Sequence, residues 1–179
     1  MASSYDIQTY LLDRANVEDV LLKQVLFYDH RDEKGLKDEV YAPECIIDYT
    51  VMFGGEPLKT TNKEWAAEAI KIVKTLDASQ HVNAGILVQL PQPGAKSRGR
   101  PDKCTAISNG NGHMVREAAD GGPNMHTGGK QEYELVRLPE LEAKGENPWR
   151  ITKQKFIPAW SEGNSEVTAL MQGSAIAQT

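Results

Sequence analysis

The chain has 179 residues, of which 40% are hydrophobic and 25% charged, and its formal net charge is −5 at pH 7. This length supports one well-cored domain, the acidic balance argues against a nucleic-acid-binding surface, and no apolar stretch approaches the roughly 20 residues that span a bilayer. The two cysteines lie far apart without CxxC spacing, which argues against a disulfide scaffold or a zinc site, and no secretory leader is visible. A soluble, cytoplasmic, single-domain protein is expected.

The first predicted elements are two N-terminal helices. One covers residues 5–14, and the next begins at Asn16 as its N-cap and runs to about residue 30. On the second helix, apolar residues recur at helical spacing and place Tyr28 and Asp29 on the apolar stripe. The stretch FYDHRD, residues 27–32, therefore ends a helix with a phenol and a carboxylate facing inwards.

A strand and a short return strand are predicted next, after a helical turn near KGLKDEVY. Gly54-Gly55 signals a hairpin, and EPLKTT supplies the return strand. Thr61 and Glu64 have the spacing of a capping box, which opens the helix NKEWAAEAIKIVKTLD. The first strand lies within ECIIDYTVMF, where five alternate residues share one face: Cys45, Ile47, Tyr49, Val51 and Phe53.

After that helix the hydrophobic period changes to two, which predicts four long strands at 79–91, 102–117, 130–138 and 147–160. The segments between them are rich in Gly, Pro and charge, as hairpin loops are. Helices followed by a run of antiparallel strands predict an α+β fold. Residues 1–160 would form the domain, and 161–179 a C-terminal tail that is either loose or a flap over a pocket.

The order of these elements resembles the cone-shaped nuclear-transport-factor-2-like superfamily. Within it, the stretches YDHRDEKGL, YAPECIIDY and ASQHVNAG resemble the scytalone dehydratase and SnoaL-like polyketide cyclase group. The resemblance covers roughly residues 10–160 and implies N-terminal helices that close a curved antiparallel or mixed sheet.

The resemblance also implies catalytic residues. It places Tyr28 and Asp29 at the family's helix-end tyrosine–aspartate pair, Tyr49 at its strand tyrosine and His81 at the histidine that opens its first long strand. A second histidine, paired with the aspartate, is expected on the next strand. His113 is the nearest candidate, although the simplest register puts Met114 there.

Substrate-binding residues follow from the same resemblance. The family's late-sheet asparagine falls near Glu132, which as an ionised carboxylate only accepts hydrogen bonds. Apolar walls for a flat, ring-bearing substrate are expected from five residues: Met52, Phe53, Trp65, Phe156 and Trp160.

Strict alternation along the strand at 79–91 creates a difficulty for His81. It groups His81 with Asn83 and Gly85, and it puts an apolar set on the opposite face: Val82, Ala84, Ile86, Val88 and Leu90. We expect the His81 face to line a polar pocket and the apolar face to pack in a homodimer or homotrimer. The alternative is that His81 lies outside the pocket.

Members of the group mostly act on ketones, so the resemblance implies a dehydratase, cyclase or double-bond isomerase acting on a polyketide-like secondary metabolite. Tyr28 and Tyr49 would bind the carbonyl, His81 would be the general acid or base, and Asp29 would orient His113 or itself be the base. Neither a metal nor an organic cofactor is needed. Two other hypotheses remain: a non-catalytic carrier of small molecules and a partner-binding module.

Overall fold

The structure is a computed structural model that describes residues 5–94 and 99–173. Its helices are α1 (Ile7–Asp29), α2 (Glu33–Gly35), α3 (Thr50–Phe53), α4 (Asn62–Val73) and α5 (Pro139–Glu142). Its strands are β1 (Tyr41–Asp48), β2 (Leu58–Thr61), β3 (Ala78–Gln89), β4 (Lys103–Val115), β5 (Asn124–Arg137) and β6 (Trp149–Gly163). A π-helical turn (Leu36–Val40) follows α2, and a 3₁₀ helix (Ser165–Gly173) follows β6. The predicted α+β class is confirmed.

The six strands form one curved, unclosed sheet in the order β2-β1-β6-β5-β4-β3. The pair β1–β6 is parallel and the other pairs are antiparallel, so the sheet is mixed. Apolar residues of α1 and α4 pack against one face, which we call the inner face, and together they bury the main core. Among the described residues, no helix combines the length and the apolar character needed to cross a membrane.

The prediction of two N-terminal helices was wrong, because α1 is one continuous helix of 23 residues. Asp6 caps it by accepting a hydrogen bond from the Thr9 backbone N–H at 2.8 Å. Asn16 lies inside the helix, where asparagine costs only a few tenths of a kcal/mol relative to better helix formers. Neither glycine nor proline interrupts the segment, so the cap-like residue did not start a second helix.

FYDHRD ends α1 and turns the chain. Arg31 has a φ of 58°, the left-handed conformation that commonly terminates helices. Its guanidinium donates to the Leu76 carbonyl at 3.0 Å, while the Asp32 carboxylate accepts from the Gly35 backbone N–H at 2.8 Å and so caps the next helical turn. The last residue of α1, Asp29, is left facing β3.

The first strand ends earlier than predicted. Asp48 accepts hydrogen bonds from the Thr50 N–H at 3.1 Å and the Thr50 hydroxyl at 2.7 Å, which starts the one-turn helix α3. The alternation predicted for Tyr49, Val51 and Phe53 is therefore wrong. The return strand β2 and the Thr61–Glu64 capping box are confirmed.

A β-bulge in β3 resolves the difficulty over His81. Gly85 and Ile86 together oppose one residue of β4, and Gly85 has a φ of 60°. Because one extra residue reverses the side-chain parity, Ile86, Val88 and Leu90 turn to the inner face that His81 already occupies. Val82 stays outside, and the bulge turns Leu87 outside as well, although strict alternation would place it on the His81 face; the two are 44% and 58% exposed. The predicted apolar outer face is thus largely absent, and the homo-oligomer stays a prediction.

Replacing Gly85 with alanine is expected to destabilise the protein by about 1–2 kcal/mol, because the left-handed conformation penalises a Cβ by that amount. Urea unfolding monitored by circular dichroism measures the change. Gly85→Asn is the matched control, since asparagine tolerates this conformation better, and we expect it to lose clearly less. Equal losses in both variants would contradict the conformational explanation.

The last two strands extend beyond their predicted limits. β5 begins at Asn124, so half of the predicted loop AADGGPNMHTGG is strand, and β6 continues to Gly163. After it, Val167 of the 3₁₀ helix is 1% exposed in a small cluster with Leu76 and Met114. The side chains of Leu170 and Met171, and residues 174–179 of the predicted tail, lie outside the described part of the chain. The division at residue 160 and a flap role for the tail stay predictions.

Candidate active site

A cavity of about 390 Å³ opens between the inner face of the sheet, α3 and α4. Four of the five predicted wall residues line it: Met52, Phe53, Trp65 and Phe156. Its polar lining includes Tyr28, Tyr49, His81 and Gln131. Thr168 of the 3₁₀ helix also contributes to the wall. The cavity is therefore mostly apolar with a few polar groups, the composition typical of small-molecule sites.

Asp29 and His81 form a hydrogen-bonded pair at one side of this cavity. Asp29 ends α1 and His81 lies near the start of β3, where Nδ1 of the imidazole is 2.7 Å from Asp29 Oδ1. An ionised carboxylate can only accept, so Nδ1 carries the proton and Nε2 is left as the basic nitrogen. His81 therefore has the tautomer that a general base needs.

The same strand anchors the carboxylate with two further hydrogen bonds. The Ser79 hydroxyl donates to Asp29 Oδ1 at 2.9 Å, and the His81 backbone N–H donates to Oδ2 at 2.6 Å. Burial would raise the pKa of Asp29, but the hydrogen bonds from His81 and Ser79 outweigh it and hold the pKa below 3.8. The carboxylate is ionised at neutral pH.

The predicted pairing of Asp29 with His113 was wrong. His113 points to the outer face, because its strand neighbour Gly112 is the residue opposite His81, and its ring instead contacts that of His126 at a centroid distance of 5.4 Å. Met114 occupies the inner-face position, as the simplest register suggested. Among the residues that line the cavity in the described part of the chain, His81 is the one imidazole.

A directed chain of hydrogen bonds runs beneath the cavity. The Tyr41 hydroxyl lies 2.5 Å from both the Tyr28 hydroxyl and Gln154 Oε1. A carbonyl oxygen carries no proton, so Tyr41 donates to Gln154 and Tyr28 must donate to Tyr41. Trp65 Nε1 donates to the Tyr28 oxygen at 3.3 Å. The Tyr28 hydroxyl therefore donates its hydrogen bond to Tyr41 and has no proton left for a ligand in the cavity.

Tyr49 lies at the other end of this series of hydrogen bonds. Its hydroxyl oxygen accepts from Gln154 Nε2 at 3.2 Å, which leaves the phenolic proton for a ligand in the cavity. Burial raises the pKa of Tyr49 to about 12 and that of Tyr28 further, so both stay protonated at neutral pH. Of the two predicted carbonyl-binding tyrosines, Tyr49 is the one whose donor is available.

The predicted polar residue Glu132 lies on the outer face, 2.6 Å from the Lys130 ammonium. Its neighbour Gln131 lines the cavity instead. Gln131 Nε2 donates to Asn83 Oδ1 at 3.2 Å and its carbonyl accepts from the Tyr133 hydroxyl, so one amide N–H remains for a ligand. The predicted position of the polar substrate-binding residue was therefore wrong by one residue, and the site holds an amide rather than a carboxylate.

Trp160 is the other predicted substrate-binding residue that the structure places outside the cavity. It is 45% exposed on the outer face, with its ring edge-on to His126 at a centroid distance of 4.9 Å. A shift in pairing between Gly128 and Gly129 of β5 and the facing part of β6 reverses the parity there. The last aromatic residue of the strand is thereby turned outwards.

Sequence reasoning missed four buried or half-buried polar residues that orient the site: Gln24, Ser79, Gln131 and Gln154. Gln24 is 1% exposed on the apolar face of α1, and it donates to the Tyr41 hydroxyl at 2.6 Å. A glutamine at a core position of an otherwise apolar helix stripe was the available signal, because buried polar groups require partners.

Formal charge is absent from the described cavity lining, which contains no Asp, Glu, Lys or Arg. Within residues 5–94 and 99–173, no three histidine, cysteine or carboxylate side chains meet in a way that could hold a metal ion. The polar groups that this cavity offers a ligand include one carboxylate-supported imidazole, one free phenol and one amide.

Comparisons with known proteins identify the domain and the fold. Residues 9–155 match the family described as the SnoaL-like domain. Among curated proteins, none matches the sequence significantly. The solved structure of the Kfla4162 protein from Kribbella flavida has a TM-score of 0.74 and 19% identity, covering 91% of this chain and 99% of that one.

Two other structures are similar at lower scores. A provisionally assigned scytalone dehydratase from Novosphingobium aromaticivorans has a TM-score of 0.66 and 12% identity, covering 89% of this chain and 92% of that one. A hexachlorocyclohexane dehydrochlorinase, LinA-type3 from Novosphingobium barchaimii, has a TM-score of 0.65 and 15% identity, covering 89% and 95%. At these identities the likeness shows the fold alone.

Proposed function

Because the chain belongs to the SnoaL-like domain family, we propose that it is a cofactor-free lyase or isomerase that moves a proton next to the carbonyl of a polyketide-like secondary metabolite. Dehydration, cyclisation and double-bond isomerisation all begin with this proton transfer. The dehydrochlorinase and dehydratase names of similar structures are consistent with such chemistry.

The observation that carries the proposal is that the imidazole of the Asp29–His81 pair and the Tyr49 donor line the same cavity. His81 Nε2 removes a proton from the carbon next to the carbonyl. The C–H electron pair forms a C=C bond, and the carbonyl π pair moves to the oxygen to give an enolate. The enolate oxygen accepts a hydrogen bond from Tyr49, and Asp29 stabilises the imidazolium that forms.

The second half of the reaction uses the same imidazole. In a dehydration, His81 returns its proton to a β-hydroxyl, the C–O bond breaks, and water leaves as the C=C bond forms. In an isomerisation, it returns the proton to another carbon. Since Met114 stands where a second histidine was expected, one base serves both steps, and both proton positions lie on one side of the substrate.

Deuterium exchange from solvent into aromatic and cyclic ketones tests the proposal. We expect wild type to catalyse exchange and His81→Ala to lose it by a factor of at least about 10³, since general base catalysis and positioning each contribute 10² or more. Asn109→Ala, on the outer face of β4, is the control. Ketones that bind wild type and His81→Ala equally, without exchange in either, would make the protein a carrier instead.

Removing the two phenols separately should give unequal results. Tyr49→Phe is expected to lower kcat for exchange about 100-fold, because it deletes an oxyanion donor. Tyr28→Phe removes a donor that is already committed to Tyr41, so we expect a loss of less than 10-fold in kcat. Equal losses would show that the two hydroxyls share the carbonyl. The kcat of each variant is measured at saturating ketone.

A further inference from the structure

We infer that the space above Gly112 receives the reacting carbon of the substrate, and that Gly112 therefore limits which ketones this site accepts. The inference rests on the proposed proton transfer and adds to it a position for the substrate. Nothing in the chemistry of the Asp29–His81 pair requires a glycine at position 112. The lack of a side chain there therefore needs an explanation.

The geometry around Gly112 defines a point in the cavity. A methyl carbon built on Gly112 would lie 3.5 Å from His81 Nε2 and 3.3 Å from its Cδ2. It would also lie 3.7 Å from the Thr127 methyl on the other side. A substrate carbon keeps about 3.5–4.0 Å from the Gly112 Cα, so it lies further into the cavity than this methyl carbon, in the space beside the imidazole. Because position 112 carries no side chain, a C–H group of the substrate can enter this space and approach Nε2.

Strand pairing explains why side chains flank the space above Gly112 on both sides. His81 on β3, Gly112 on β4 and Thr127 on β5 are direct register partners and form one row across the inner face. Neighbouring strands lie about 4.8 Å apart, so the side chains of the outer two flank a slot over the middle one. A flat substrate edge fits this slot, whereas a side chain at position 112 would fill it.

Gly110 is a second glycine on the same face of β4 but has a different role. The point above it is already filled, because a methyl carbon there would be 3.1 Å from both Cγ and Cδ of Gln131. Gly110 therefore makes room for the Gln131 amide, about 7 Å along the strand from Gly112. The two glycines separate a reacting position from a binding position.

The substrate class follows from these contacts and from the uncharged lining. It is an uncharged cyclic ketone whose acidic carbon belongs to a planar part of the molecule and lies against the backbone of β4. An acceptor oxygen across the ring from that carbon would meet the free Gln131 N–H. Carboxylated or phosphorylated compounds would find no cation among the described lining residues.

The test compares Gly112→Ala with Gly110→Ala, using 2-tetralone and 6-hydroxy-2-tetralone, whose hydroxyl lies across the ring from the acidic C1. For Gly112→Ala we expect kcat/KM for exchange at C1 to fall about 100-fold with both ketones, because the reacting carbon is displaced by about 1 Å or more. Gly110→Ala should raise KM mainly for the hydroxylated ketone and leave kcat within 3-fold.

Nuclear magnetic resonance of the wild-type complex tests the position independently of turnover. We expect an NOE between the Gly112 Hα protons and the C1 protons of 2-tetralone in H₂O. Exchange by Gly112→Ala at the wild-type rate would overturn the inference while the proposed function stood. Failure of 2-tetralone to bind, or binding without that NOE, would overturn it too. The NOE without any exchange would retain the position and reject the proposed function.

Discussion

Replacing Asp29 with asparagine is expected to lower the rate of ketone exchange by a factor of about 10³ to 10⁴, comparable to the loss when the aspartate of a serine protease triad is changed in this way. Both carboxylate oxygens face donors: the Ser79 hydroxyl and His81 Nδ1 meet Oδ1, and the His81 backbone N–H meets Oδ2. An amide offers one acceptor oxygen, so its NH₂ group must face one of these donors. The imidazole then loses its tautomer or its orientation.

Asp19→Asn is the control for this variant, since Asp19 is an exposed acid on the same helix. If Asp29→Asn lowered the exchange rate by less than 10-fold while His81→Ala was inactive, a catalytic role for the Asp29–His81 hydrogen bond would be contradicted. Stability gives a second readout. The pKa of Asp29 is lowered in the folded state, so its contribution is present above pH 3.8 and is lost as the pH falls through the folded value. The stability difference between wild type and Asp29→Asn should shrink on acidification.

Replacing Asp13 with alanine is expected to reduce the free energy of unfolding by about 3–5 kcal/mol, the usual cost of breaking a buried ion pair. Asp13 is 0% exposed and accepts from Arg100 Nε at 2.9 Å and Nη2 at 2.7 Å. Trp149 Nε1 donates to the same carboxylate at 2.9 Å. Without the carboxylate, the buried indole N–H loses its acceptor, and among the described residues Arg100 keeps its contact with Glu142.

Urea unfolding measures this loss, with Asp19→Ala as the matched control because that acid is exposed on the same helix. We expect the control to change stability by less than about 0.5 kcal/mol. The exchange rate of the folded Asp13→Ala protein should stay within a few-fold of wild type, since Asp13 does not line the cavity. A stability loss below 1 kcal/mol would mean that the ion pair barely exceeds its own desolvation cost.

The parts of the fold that were predictable are those specified by local sequence. The Thr61–Glu64 capping box is a four-residue pattern with its own hydrogen bonds, so it was visible without tertiary information. Tyr28 and Asp29 were placed inwards by helical periodicity, which tolerates small errors in the boundary. Asn16 shows the limit, because a residue suited to a cap can also lie inside a helix when the flanking residues continue it.

The errors in the site come from parity along strands. A strand alternates with period two, so one extra residue exchanges the faces. The bulge at Gly85 and the shift near Gly128 each did so, and the choice of Glu132 over Gln131 was wrong by one residue. The choice of His113 was also wrong by one residue, because it departed from the simplest register, which gave Met114. Bulges depend on pairing with a neighbouring strand, which a single sequence does not reveal.

The bulge at Gly85 divides β3 into one segment that forms part of the site and one segment that packs in the core. Before it, the inward residues Ser79, His81 and Asn83 serve the site, and after it Ile86, Val88 and Leu90 pack in the core. Substitutions in the first segment can alter chemistry while the second keeps holding the sheet to α1. A library confined to residues 79–83 would therefore explore new reactions without disturbing the packing of residues 86–90, a modularity that a regular strand lacks.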